Sequence, residues 1–166
     1  MNQIGWVSAE SQFISCNIDL TGLPSVAVAP PPPPEAPKTN NSAPDGSFPP
    51  NLIWDADFNQ QYFVRFRVYD NSSGGTKDGD GIAQVSFQVL NGEGKSVYER
   101  VEKTSGYCIF GGGEPDCNPW VLEDFIYKWG AGGEPVKDGV YQLLIVVAAK
   151  NGDQGNWIYE VNIDLP

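Results

Sequence analysis

The sequence predicts an all-β protein: an antiparallel β-sandwich of about seven strands over residues 51–166, preceded by a proline-rich extended linker over 23–50 and an isolated strand segment over 1–22. Three observations predict it. Apolar side chains recur two residues apart in successive runs, Gly-, Asn- and Asp-rich turns separate those runs, and no long stretch keeps the 3.6-residue spacing of an amphipathic helix. With 166 residues, 40% of them hydrophobic and 12% aromatic, the chain is able to bury one good core, so one globular domain with extensions is expected.

The last stretch organises the rest. From Asp138 to Leu165 it reads as two long strands joined by a turn. Tyr141, Leu143, Ile145 and Val147 share one face of the first strand, and Trp157, Tyr159, Val161, Ile163 and Leu165 share one face of the second. Val140, Leu144 and Val146 on the opposite face predict a central strand covered on both sides. The joining residues, Asn151 to Asn156, suit a turn because Gly and Asn accept positive φ and Asx side chains bond to their own backbone.

Upstream, Tyr62, Val64, Phe66 and Val68 alternate with Phe63, Arg65, Arg67 and Tyr69, which predicts a half-buried strand with its arginines in water. Ala83, Val85, Phe87 and Val89 alternate with Gln84, Ser86 and Gln88 in a second strand. Asn91-Gly92-Glu93-Gly94 turns the chain into a third, from Lys95 to Lys103. Leu52-Ile53-Trp54 supplies an earlier strand. Residues 107–133 read as irregular, apart from a strand or short helix between Val121 and Trp129.

The strand segment at the amino end runs from Gln12 to Leu20, and its close, Asn17-Ile18-Asp19-Leu20, recurs as Asn162-Ile163-Asp164-Leu165. Chance is one source of a four-residue identity, and two other readings give it meaning. The segment is the last strand of a preceding module in a tandem array, or a spare strand whose Phe13, Ile14, Ile18 and Leu20 add to a neighbouring subunit's sheet edge. The linker holds Pro30 to Pro34, then Pro37, Pro44, Pro49 and Pro50. Prolines donate no ladder hydrogen bonds, so an extended spacer is expected, advancing about 3.1 Å per residue where prolines run together. A ligand for proline-recognition modules is the sharper alternative.

Ten Lys and Arg against 21 Asp and Glu give a net charge of -11, which repels nucleic-acid phosphates and anionic membrane surfaces. There is no histidine, which removes Ser-His-Asp and Cys-His catalysis and imidazole-ligated zinc. No segment approaches the roughly 18 to 20 apolar residues that span a bilayer, so no direct membrane insertion is expected. Met1 to Val7 lacks a basic and an apolar region and is no secretory signal as it stands; an extracellular or cell-surface location with the signal removed is expected.

Asp138-Gly139-Val140-Tyr141-Gln142-Leu143, then Val146-Val147-Ala148-Ala149 and Gly155-Asn156-Trp157, resembles the final hairpin of bacterial immunoglobulin-like domains of surface adhesins and secreted enzymes. Residues 70–82 are similar to that family's loop into a strand. The resemblance covers residues 51–166 and implies an immunoglobulin-like sandwich acting as a spacer, scaffold or binding module, with other subunits or neighbouring modules as partners. The insertion from Ser105 to Pro135 departs from a minimal module.

That insertion holds Cys108 and Cys117 with three glycines and a proline between them, so a disulfide closing the loop is sterically easy and stabilises by roughly 2 to 3 kcal/mol. Two thiolates alone make an incomplete zinc site, and the spacing is far from that of a redox Cys-x-x-Cys pair. The disulfide favours an oxidising compartment, and Cys16 is left odd. Trp120, Tyr127 and Trp129, near Phe125, form either core packing or a stacking platform for the sugar rings of a glycan. Asp70, Asp78 and Asp80 sit among turn residues of the kind that surround Ca²⁺, although the spacing misses the EF-hand pattern; a plain solvated loop is the alternative. Adjacent carboxylates such as Glu123 and Asp124, or Glu114 and Asp116, lack an accompanying nucleophile or cofactor motif, so no enzyme and no other cofactor is expected.

Overall fold

The C-terminal hairpin forms where the alternation puts it. In a computed structural model, which describes residues 31–113 and 116–165, β11 (Gly139–Ala149) and β12 (Gln154–Asp164) pair antiparallel with Tyr141 opposite Val161 and Ile145 opposite Trp157. Their inward residues are buried. Before them come β1 (Lys38–Asn41), β2 (Leu52–Asn59), β3 (Phe63–Asp70), β4 (Ile82–Leu90) and β5 (Ser96–Glu102). The insertion adds the short strands β6 (Tyr107–Cys108), β7 (Gly112–Gly113), β8 (Asp116–Cys117), β9 (Val121–Glu123) and β10 (Ile126–Lys128).

The protein is all-β and every strand pair is antiparallel. One sheet has the order β1-β12-β11-β4-β5 and another the order β2-β3-β6; β7-β8 and β9-β10 are separate two-stranded ribbons. The inner faces of the two larger sheets share one core, in a sandwich-like arrangement. Val85, Phe87 and Val89 of β4 meet there with Val64, Phe66 and Val68 of β3 and the inward residues of β11 and β12. Trp157 is fully buried, with its ring 5.1 Å from that of Phe66 and 5.4 Å from those of Trp54 and Phe48.

Three expectations change. β11 is central in strand order, but the outer face of its sheet is open: Val140 is 48% exposed, Leu144 and Val146 are half-buried, and Ile158 beside them is 39% exposed. The second sheet that covers Leu143 and Ile145 lies on one side only. Phe63, expected on the wet face of its strand, is fully buried next to the equally buried Val64. Its φ of 66° lies in the left-handed region, and this kink at the start of β3 breaks the two-residue alternation.

The third change concerns the linker. Its second half belongs to the domain, because β1 lies antiparallel along β12 with Lys38 opposite Asp164 and Asn41 opposite Val161. The run from Lys38 to Ala43 contains no proline, so its N–H groups are free to join a ladder, while Pro37 and Pro44 confine it to a short edge strand. The amino-terminal segment, with Phe13, Ile14, Ile18 and Leu20, lies outside the described residues.

Candidate functional site

Residues 33–48 run as an arm along the free side of β12 and end in an aromatic groove at one extremity. After β1, Ser42 N–H donates to the Glu160 carbonyl (2.8 Å), and the Glu160 N–H donates back to Ser42 Oγ (3.0 Å). Asp45 and Ile158 exchange backbone hydrogen bonds, and the Asn156 N–H donates to the Ser47 carbonyl (2.9 Å). Phe48 then packs on Trp54 and Trp157, with centroids at 5.8 and 5.4 Å. An edge that would otherwise present unpaired N–H and C=O groups is thereby covered.

At the other end, Tyr62, Cys117, Pro119, Trp120, Leu122 and Tyr127 line a groove against Pro33 and Ala36 of the arm. The Tyr127 hydroxyl donates a 2.8 Å hydrogen bond to the Pro34 carbonyl. Burial raises the pKa of this hydroxyl above its ordinary value. The β9-β10 hairpin positions Leu122 and Tyr127 opposite each other. Its two-residue turn, Asp124-Phe125, has φ of 52° and 61°, the left-handed pair that a tight hairpin of the right twist requires. Phe125 projects from that turn 67% exposed, beside Ile126 at 48%. The Glu123–Lys128 ion pair (2.8 Å) runs diagonally across the hairpin, and the hydrogen bond from Lys128 lowers the Glu123 pKa.

Cys108 and Cys117 are joined by a disulfide with Cα atoms 5.5 Å apart, so the loop closes as its glycines allow. The bond ties β8, at the groove wall, to β6 in the three-stranded sheet.

Of the two readings of the aromatic set, core packing describes both tryptophans. Trp120 is 4% and Trp129 is 2% exposed; both pack in an aromatic cluster with Phe63 and Phe110, at centroid distances from 4.9 to 6.4 Å. A stacking platform needs open ring faces, and the hydrophobic effect has taken these two inward. Tyr127 alone of the three stays half-buried.

Asp70, Asp78 and Asp80 each accept hydrogen bonds from neighbouring side chains or backbone N–H groups. Asp70, 1% exposed, accepts from Asn51 Nδ2 (2.9 Å), Asn151 Nδ2 (3.0 Å), the Ser72 N–H (2.9 Å) and the Ser72 hydroxyl (2.6 Å). The Ser72 and Asn51 hydrogen bonds hold its pKa below the usual carboxylate value. Asp78 bridges the Val68 and Gly106 N–H groups at 2.8 Å each, and Asp80 accepts from the Lys77 N–H at 2.9 Å. Among the described residues, no group of three or more His, Cys, Asp or Glu side chains is placed to hold a metal ion. Nor is there, among them, a helix long and apolar enough to cross a membrane.

No protein-family model, curated protein or solved structure matches the chain. The arm is masked in the sequence by its proline content, and the six-residue proline-free gap between Pro37 and Pro44 is the signal that points to it.

Proposed function

We propose that the chain is a non-catalytic, immunoglobulin-like structural module of an extracytoplasmic surface protein, which assembles when its N-terminal arm adds as an edge strand to the sheet of a second copy. One observation carries this reading: β1 comes from outside the hairpins of the sandwich and reaches β12 through the connector 42–51. A strand that docks from an arm within one chain makes the same backbone bonds from another. The disulfide fits an oxidising compartment, and the charge of -11 disfavours anionic partners. The resemblance of residues 51–166 to adhesin-type domains points the same way.

Cross-linking tests it. Asn40 and Asn162 are opposite each other in the β1-β12 register and both are exposed. In a Cys16→Ala background, chains carrying Asn40→Cys are mixed with chains carrying Asn162→Cys, refolded together at high concentration and oxidised. The reading predicts a covalent one-to-one dimer. Monomers alone, while the double variant on one chain cross-links internally, would sink it.

A further inference from the structure

The turn between β11 and β12 carries a reactive dipeptide, Asn151-Gly152, that the fold holds still. Gly152 has a φ of 97°, a left-handed value that favours glycine, and a Cβ added there would meet nothing within 4 Å. The residue that the backbone calls for is also the one that least shields the peptide nitrogen following an asparagine. In an open chain that nitrogen attacks the Asn151 side-chain amide. The bond from Gly152 N to Cγ forms, the Cγ–Nδ2 bond breaks, and Nδ2 leaves as ammonia with the proton that Gly152 N gives up. Water then opens the cyclic imide to an aspartyl or isoaspartyl carboxylate, which is one reason asparagine is thermolabile.

The closed turn restrains each group in that step. The Gly152 N–H donates to the Ala149 carbonyl (3.1 Å), and Asn151 Nδ2 donates to Asp70 Oδ2 and Asp153 Oδ2, both at 3.0 Å. Asn151 Oδ1 accepts from the Asp153 N–H (2.9 Å). Asn91-Gly92 is the comparison within the chain: Asn91 Oδ1 accepts from the Glu93 and Lys95 N–H groups, but among the described residues neither Asn91 Nδ2 nor the Gly92 N–H has a hydrogen-bond partner. The place that Asn151 occupies also suits an amide alone. A carboxylate at position 151 has no N–H to give and would face Asp70, 1% exposed, and Asp153 with like charge.

We propose that Asn151-Gly152 is a self-modification site gated by the hairpin turn, held unreactive while the turn is closed and converted after opening to a carboxylate that no longer fits against Asp70. The conversion consumes only water, and it marks irreversibly those chains whose turn has opened.

Peptide mapping by mass spectrometry follows both asparagines in the full chain, incubated folded and in denaturant in a mildly alkaline buffer. In denaturant Asn91 and Asn151 should convert at similar rates. In the folded chain Asn151 should convert at least about tenfold more slowly than in denaturant, and more slowly than Asn91, because it waits for local opening. Conversion of Asn151 at one rate in both conditions would overturn the gate. Asn151→Asp should lower the denaturant midpoint, and adding Asp70→Asn, which restores a carboxylate–amide pair with the roles reversed, should recover part of the loss. An unchanged midpoint in Asn151→Asp, or a further loss on adding Asp70→Asn, would reject the proposal. Should Asn151→Asp alone fail to fold, the double variant decides: a folded chain supports the clash with Asp70 and an unfolded one refutes it.

Discussion

Asp45 and Ile158 exchange two backbone hydrogen bonds, of 2.9 and 2.7 Å, and so fasten the arm to β12 beyond the four residues of β1. Antiparallel pairing alternates bonded and non-bonded positions, so Asn40, two residues from Ser42, turns its N–H toward β12 and Thr39 turns its N–H away. Asn40→Pro should detach the strand and Thr39→Pro should leave it docked. Limited proteolysis between residues 38 and 48 reads the difference; equal sensitivity of the two variants would contradict the register.

Gly155 is demanded by contact. A Cβ there would lie 2.6 Å from Trp157 Cη2 and 3.2 Å from Leu52 Cδ1, inside the closed core. Gly155→Ala should cost about 1–3 kcal/mol, the usual penalty of overpacking, measured by denaturant unfolding. A neutral result would mean that the Trp157 ring has room to move.

Asp70 links three segments through Asn51, Ser72 and Asn151, and its folded pKa lies below the ordinary 3.8. A depressed acid favours the folded state above its unfolded pKa, and the contribution fades as pH falls from about 3.8 toward the lower folded value. Asp70→Asn should therefore flatten the fall of Tm in that acid window and lower Tm at neutral pH. Parallel Tm–pH curves for the two proteins would contradict this role.

The Cys108–Cys117 bond closes a separation of nine residues. Replacing both by Ala should cost roughly 2 to 3 kcal/mol and leave the far end of the sandwich intact. Near-ultraviolet circular dichroism and denaturant midpoints measure both effects.

The legible part of the fold was the part governed by period two. β11 and β12, with Tyr141 to Val147 and Trp157 to Ile163, bury the side chains that alternation picks, because a pleated strand against a core leaves no other choice. Phe63 escaped because one left-handed residue shifts the alternation, a backbone state that no side-chain pattern records. For Trp120 and Trp129 the sequence left core packing and an open platform as alternatives, since irregular loops carry no period to say which way a ring faces, and both rings are buried. Asp70, Asp78 and Asp80 were recognisable as turn carboxylates, yet whether such groups hold a cation or cap N–H groups depends on long-range placement, such as Asn151 reaching Asp70. Lys38 to Asn41 was hidden by its proline-rich surroundings, although the stretch itself obeys the requirements of an edge strand.

The central claim is that residues 38–48 form the edge of the five-stranded sheet. Native-state hydrogen exchange at the Ile158 and Glu160 amides measures it most directly, because their acceptors are Asp45 and Ser42 of the arm. Both amides should be strongly protected in the intact chain and lose that protection in Asn40→Pro, while Leu143 and Ile145 in β11 stay protected. Exchange of Ile158 and Glu160 at the rate of an open sheet edge in the unaltered protein would contradict the account.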